Sequence, residues 1–434
     1  MLTPGVAADN ESNPCLNEDF TMRRSLFSRF LIFSRSFHSH CSHRLMNSKP
    51  YCSTKFNRSL FPGLFFSFTF GVPLCVLLNY VVLPLSLLIS VFLLLFGFWF
   101  CFRFLEHFIV YACNEPSPSK FLYTNPSSCG FTTWELVKLS PDGKNGPTVI
   151  GIFLLQSNLC SRKTCPVVLL LHGNAGNSTS RLPMCQVLES RFQCNIFILD
   201  YRGYGQSTGR PSEKGLYADA KCAMDYLTSR TDINTAKIFL FGRSLGGAVA
   251  IHLASDPKSS AKICGVIIEN TFTSISETAS HILNIPWKLP SWLFSNQYSS
   301  LVKLQNCSKT RKSVLLYPPM LLISGEQDKI IPPKMMWKLA EAYENILAEK
   351  HMLSSRSSDV VMHHDNFSKR NPLSQDPNTF INSGIDGLVS FPEGHHNDTW
   401  FCNNWSDVIL RFMEQSSLRI RSSEPSENDF HLSV

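Results

Sequence analysis

Lys237-Ile-Phe-Leu-Phe-Gly242-Arg-Ser244-Leu-Gly246-Gly247-Ala-Val-Ala-Ile-His252-Leu-Ala-Ser255 decides the fold of this 434-residue chain. An apolar run of strand length leads into Gly-x-Ser-x-Gly, and a small-residue helical pattern follows at once. That order describes a nucleophile elbow, a sharp strand-to-helix turn that lifts a serine hydroxyl above the end of a parallel sheet. Gly242 and Gly246 flank Ser244 because larger side chains would clash where strand and helix nearly touch. Leu245 and the amides after it open the helix, so N–H groups and the positive end of its dipole face developing negative charge. Chance supplies the bare five-residue pattern readily; the strand before it and the helix after it make it specific.

Around the elbow, short apolar strands recur. The spacing predicts strands at 132–139, 149–155, 167–171, 195–199, 237–241, 265–268, 320–323 and 388–391, with helical patterns at 213–228, 245–254 and 333–348. Strands alternating with helices of this length imply an α/β fold, a mostly parallel central sheet with helices on both faces. Only a turn, Ser140-Pro-Asp-Gly-Lys-Asn-Gly146, separates the first two strands, which suits an antiparallel hairpin at the sheet edge. Residues 351–384 are rich in Ser, Asn, Asp and His without apolar periodicity and read as a loop insertion.

Upstream, no charged residue occurs between Arg58 and Arg103, a run dominated by Leu, Phe and Val. It is longer than the ~20 residues one helix needs to cross a bilayer. Pro73, Asn79 and Pro84 interrupt it, which leaves two arrangements: one span over 80–102, or a tight two-span hairpin. Arg44, Lys49, Lys55 and Arg58 precede the run and Arg103 alone closely follows it, so the N-terminal side is expected in the cytoplasm. A single span then makes a type II signal-anchor topology, whereas a hairpin returns the chain to the cytosol. The run begins too deep for an N-terminal signal peptide.

The expected organisation is a disordered basic arm over 1–59, a transmembrane segment within 60–110, a linker over 111–130, a catalytic domain over 131–415 and a disordered tail over 416–434. Net charge is +7, and much of it lies in the arm, where anionic lipid and topology explain it better than nucleic acid. From Met22 the arm is Arg- and Ser-rich, as in a mitochondrial presequence, but Asp9, Glu11, Glu18 and Asp19 upstream argue against import. Fifteen cysteines show no CxxC pair and no regular spacing with histidine, so neither a metal site nor a cofactor is expected. Candidate glycosylation sequons stand at Asn177, Asn306, Asn366, Asn397 and Asn404.

A serine nucleophile needs a base for its proton and an acid to orient that base, here in the chain order Ser, Asp or Glu, His. After the 320–323 strand comes Ser-Gly-Glu-Gln-Asp328-Lys-Ile-Ile-Pro-Pro, and after the 388–391 strand comes Pro-Glu-Gly-His395-His396. Asp328 is preferred over Glu326 and Glu269, and His396 over His395. Asp200 precedes the serine and is expected to brace its own loop, while His252 lies in the helix body and is expected to be packed. For the oxyanion, the amide of Leu245 supplies one donor. The loop His172-Gly-Asn174-Ala-Gly-Asn177 offers the second, assigned to Asn174 N–H.

As a set, HGNAGN (172–177), DYRGYGQS (200–207), the elbow, ENTF (269–272), SGEQDKIIPP (324–333) and HNDTW (396–400) resemble the Bem-type membrane-anchored serine hydrolases among the alpha/beta-hydrolase domain-containing proteins. The resemblance covers about 88–411, the insertion excluded. It implies the alpha/beta-hydrolase fold, a single-pass type II anchor and Ser244, Asp328 and His396 as a triad. Protein depalmitoylases belong to the same group, which implies acyl ester or thioester substrates, acyl-proteins included. The long arm, the longer apolar run and the 351–384 insertion depart from the family's pattern, the last just before His396. Residues 273–319 form a natural lid whose Ile285, Trp287, Leu289, Trp292, Leu293 and Phe294 suit an acyl chain or, equally, an ordinary packed helix. A serine peptidase of the same fold and a catalytically silent membrane scaffold are the competing functions.

Overall fold

A computed structural model of the chain describes residues 72–355 and 386–423. The basic arm and most of the 351–384 insertion lie outside the described residues. The chain divides into two units, Met1–Leu105 and Glu106–Val434.

In the first unit the chain runs as helix from Val72 without a turn at Asn79 or Pro84. Residues Val72–Leu77 are α-helical, Leu78–Val82 widen to a π turn, and α1 follows as Leu83–Val110. The widening sits where Pro84 removes the N–H that Tyr80 O would accept, a usual cause of a local bulge. The Asn79 side chain meets its freed neighbourhood by donating to Cys75 O at 2.9 Å. Among the described residues one helix, Pro73–Val110, is long and apolar enough to cross a membrane. Most of its described Leu, Ile and Phe side chains are exposed to the surroundings.

In the second unit eight strands form one sheet in the order β1-β2-β4-β3-β5-β6-β7-β8. They are β1 (Trp134–Leu139), β2 (Val149–Leu154), β3 (Val167–Leu171), β4 (Asn195–Asp200), β5 (Ile238–Arg243), β6 (Gly265–Glu269), β7 (Met320–Gly325) and β8 (Gly387–Phe391). All eight expected strands are present. β1 and β2 form the edge hairpin, β2 meets β4 antiparallel, and every later pairing is parallel. Parallel strands covered on both faces need continuous apolar runs, and β3 to β7 are buried at every position. The edge strand β1 instead alternates between buried and solvent-facing residues. This is the alpha/beta-hydrolase architecture that the motifs implied.

The covering helices are α2 (Leu182–Phe192), α3 (Glu213–Ser229), α4 (Leu245–Ser255), α5 (Ile275–Ile282), α6 (Ser300–Cys307), α7 (Pro333–Ser355) and α8 (Trp405–Ser423). On one face of the sheet, α2 and α8 bury Leu188, Phe192, Trp405 and Phe412 against Phe239 and Phe241, each worth roughly 1.5–3 kcal/mol of transfer free energy.

Three boundaries differ from the expectation. α8 continues to Ser423 with Ser416 buried, so the presumed disordered tail begins as helix. α7 reaches Ser355, five residues into the expected insertion. Residues 111–130 are no free linker: Tyr111, Ser119 and Pro126 are buried in the domain. In the lid region, Ile282, Leu283, Trp287 and Trp292 are exposed, while Phe294 is buried rather than part of an open cluster.

Candidate active site

All parallel strands end at the same edge of the sheet, and the loops leaving those ends hold the site, as the topology of open α/β sheets requires. β5 ends at Arg243, and Ser244 turns the chain into α4 with φ +52° and ψ −117°. That positive φ is costly for a non-glycine residue and is held by neighbours on both sides. Ser244 N donates to Glu269 O at 2.9 Å, and Thr271 Oγ1 donates to Ser244 O at 2.6 Å. A Cβ at Gly246 would overlap the Leu171 carbonyl oxygen, and one at Gly242 would lie 2.5 Å from Gly246 O. Only glycine lets the start of α4 pass that close to β3 and β5.

Ser244 is buried and lines up with the two partners expected from the sequence. His396 Nε2 lies 3.1 Å from Ser244 Oγ, and His396 Nδ1 lies 2.7 Å from Asp328 Oδ2. The other oxygen of Asp328 accepts from Ile330 N and Ile331 N, both at 2.8 Å. Two backbone donors hold that carboxylate in place, leaving Oδ2 aimed at the imidazole. Of the two histidines, His395 turns outward: its ring is about half exposed and pairs with Asp398 at 3.2 Å. Glu269 is fully buried behind the site, where it accepts from Trp405 Nε1 at 2.7 Å and faces Arg243. Burial pushes its carboxyl up, and Arg243 opposes the shift. His252 stacks on Tyr217 with ring centroids 3.6 Å apart, so it is packed as expected.

The histidine loop is pinned by two residues that the sequence did not single out. Arg243 Nη2 donates to His396 O at 3.1 Å and to the Asn397 side chain. Asn270, in the left-handed region at φ +46°, donates through Nδ2 to His395 O, His396 O and Thr399 Oγ1, and accepts from Gly325 N at 2.8 Å. One buried amide thus ties the end of β7, which leads to Asp328, to the loop carrying His396. Its place in the ENTF motif just past a strand end was the available signal.

The loop after β3 lies against the serine: a Cβ at Gly173 would stand 3.5 Å from Ser244 Cβ. Among the described residues no hydrogen bond uses the N–H of Leu245 or of Asn174, which leaves both donors for a ligand. Asp200 does more than brace its own loop. It accepts from Ser178 N and Oγ, at 2.5 and 2.9 Å, and from Tyr123, and so fixes the loop after β3 from below. Burial raises its carboxyl to about 6. His172 Nε2 lies 3.9 Å from Asp200, but burial drives that imidazole down to about 3, so the contact is no ion pair near neutrality. Asn177 is buried and donates to Ser119 O and Leu122 O, which removes it as a glycan acceptor in this fold.

Residues 162–318 match the family model described as serine aminopeptidase, S33. The chain is 35% identical over 262 residues to the alpha/beta hydrolase domain-containing protein WAV2 of Arabidopsis thaliana, across 58% of this chain and 70% of the relative. It is 34% identical to protein bem46 of Schizosaccharomyces pombe, across 51% and 67%. To the uncharacterized membrane protein YNL320W of Saccharomyces cerevisiae it is 38% identical, across 57% and 70%. Among solved structures, the Pyrococcus furiosus esterase Pf2001 covers 68% of this chain and 97% of its own length at 17% identity with a TM-score of 0.45, a likeness too slight to bear on function. With the elbow, its hydrogen-bonded partners and these relatives in place, the chain belongs to the Bem-type family of alpha/beta-hydrolase domain-containing proteins and is a serine hydrolase.

Proposed function

We propose that this chain is a membrane-anchored hydrolase of acyl esters or thioesters, acyl-proteins among them, working through a Ser244–His396–Asp328 triad. The observation that carries this reading is the hydrogen-bonded line from Ser244 Oγ to His396 Nε2 and from His396 Nδ1 to Asp328, set at an elbow with positive φ. Ser244 Oγ attacks the acyl carbonyl as His396 Nε2 takes its proton. The negative charge that forms on the carbonyl oxygen is met by the N–H groups of Leu245 and Asn174, each such donor being worth roughly 3 kcal/mol in the transition state. His396 returns the proton to the departing alcohol or thiol, and an acyl-Ser244 remains. Water, deprotonated by His396, then releases the acid. Asp328 keeps Nδ1 protonated and stabilises the imidazolium that forms twice in the cycle.

Anchoring is supported by the exposed apolar helix Pro73–Val110 and by the yeast relative's description as a membrane protein. Its length of 38 residues exceeds what one crossing needs, so one end projects beyond the hydrocarbon. The basic residues upstream orient it with the N-terminal side in the cytoplasm, a single-pass type II arrangement. Exposed Trp287 and Trp292 in the 273–319 region suit an acyl substrate delivered from a lipid surface.

The test is fluorophosphonate labelling of wild type and Ser244→Ala, followed by turnover of p-nitrophenyl acyl esters and peptide amides. Labelling that vanishes in Ser244→Ala, with esters cleaved and amides untouched, is the expected result. No label on folded wild type would leave a silent scaffold, and preferential amide cleavage would favour the peptidase chemistry named by the family model.

A further inference from the structure

We infer that residues Glu106 to Glu115, with which the apolar helix ends, position the loop that carries the Asn174 amide, so that the helix end belongs to the catalytic apparatus. This deepens the reading above and rests on its assignment of Asn174 N–H to the oxyanion.

A plain tether would leave the helix as an exposed polar linker. Here the last helical turn is built into the hydrolase unit. Glu106 is 4% exposed in a segment otherwise rich in Phe, Leu and Val. Its carboxylate accepts from Ser295 N and Asn296 N at 2.8 Å each, and from Asn296 Nδ2 at 3.0 Å. Burying a carboxylate is costly unless such donors replace its water, so these three bonds fix where the helix ends. Tyr111, also buried, adds bonds from its hydroxyl to Asn296 Oδ1 at 2.8 Å and with the Tyr298 hydroxyl at 2.9 Å.

From that fixed end the chain reaches directly to the loop after β3. Ala112 N donates to Asn174 O at 3.0 Å, and Ala112 pairs with Ala175 in a parallel bridge. Gly176 N donates to Glu115 O at 2.7 Å. The Asn174 side chain donates to Ile109 O at 3.4 Å, a carbonyl of the last helical turn that has no acceptor duty within the helix. On its other side the Tyr204 hydroxyl donates to Asn174 O at 3.0 Å. Asn174 is therefore held at its carbonyl and its side chain by residues 109–112, while Gly173 abuts Ser244. With both neighbours fixed, the direction of the Asn174 N–H is fixed as well. Preorganisation of that kind gives an oxyanion donor its effect, and an ångström of misplacement removes much of it.

The test uses the full chain in detergent, with turnover of a p-nitrophenyl acyl ester expressed per serine titrated by fluorophosphonate, so that a lower folded fraction does not imitate a slower site. Glu106→Ala and Ala112→Pro, the latter removing the N–H given to Asn174, are expected to lower kcat about tenfold with KM within about twofold. Glu106→Gln keeps a carbonyl acceptor and is expected to recover most of the rate. Independently of activity, hydrogen exchange of the 173–177 amides should quicken in Glu106→Ala while that of β5 and β7 stays at the wild-type rate. Rates per titrated serine within about twofold of wild type for both disruptive variants, or a loss confined to KM, overturn the inference. An unlabelled wild-type Ser244 overturns the catalytic reading and this one together, whereas a labelled wild type with unaffected variants overturns this one alone.

Discussion

Asn270→Ala tests how the site is assembled. The change removes the amide that donates to His395 O, His396 O and Thr399 Oγ1, and it removes the acceptor of Gly325 N. An amide nitrogen has two protons for these three oxygens, so about two net hydrogen bonds are lost, roughly 2 kcal/mol. The Gly325 N–H is left buried without a partner, which costs about 1 kcal/mol or more. Alanine at φ +46° adds about 1 kcal/mol, because the left-handed region crowds its Cβ. The total of about 4 kcal/mol should lower the melting temperature by about 10 °C. Turnover should fall about 100-fold, since the loop that aims His396 at Ser244 loses its pin. Asn270→Gly keeps the backbone conformation open and should be about 1 kcal/mol less destabilising than Ala while losing the same turnover. Asn270→Asp keeps the acceptor for Gly325 but turns a carboxylate oxygen toward three other oxygens, so its turnover should fall at least as far as that of Ala. Thermal melts and kcat per titrated serine decide the matter. Turnover within about threefold of wild type in both the Ala and Asp variants would refute the pinning argument.

Gly246→Ala should cost at least about 3 kcal/mol in thermal melts, above ordinary overpacking, because its Cβ meets the Leu171 carbonyl and not a movable side chain. His396→Ala should abolish turnover by about 10⁴-fold or more, while His395→Ala should stay within about threefold, its imidazole being paired with Asp398 at the surface. His172 titrates at about 3 in the fold against 6.5 unfolded, so its contribution to stability is full above 6.5 and is lost as pH falls toward 3. The ceiling of that effect is about 5 kcal/mol. Asp200, raised to about 6 from 3.8, contributes in the opposite sense, its stability present in acid and lost as pH rises from 4 to 6. The readout is therefore the difference between wild type and His172→Phe in melting temperature from pH 7 to 4.5. The variant should lose less stability on acidification, and an equal loss would show that His172 does not bind its proton on unfolding.

Much of the fold is legible in the amino-acid sequence because its signals are local. Strands β3 to β7 read as unbroken apolar runs between turn residues, since a parallel strand is covered on both faces. The elbow reads from five residues and their flanks, and the candidates for acid and base follow from chain order with each strand end supplying one loop. Helix α8 escaped at its C-terminal end because its polar face dominates the composition after residue 415, although Phe412, Met413 and Ser416 are buried.

What composition and periodicity could not supply is whatever depends on residues far apart in the chain. The bonds from Arg243 and Asn270 to the histidine loop span 125 to 154 positions, and no local pattern names their partners, even where a motif such as ENTF marks the residue. Residues 111–130 carry the Pro and Ser content of a linker, yet pairing with the loop after β3 draws their backbone into the domain. The sequence by itself determined the fold class and pointed to the candidate serine and the order of its candidate partners, because backbone propensity and burial act on neighbouring residues. The sequence favoured His396 over His395, but tertiary structure alone decided what holds its ring against the serine. It also decided that the end of the apolar helix grips the loop after β3, because buried polar groups must find partners wherever the sheet's strand order brings them.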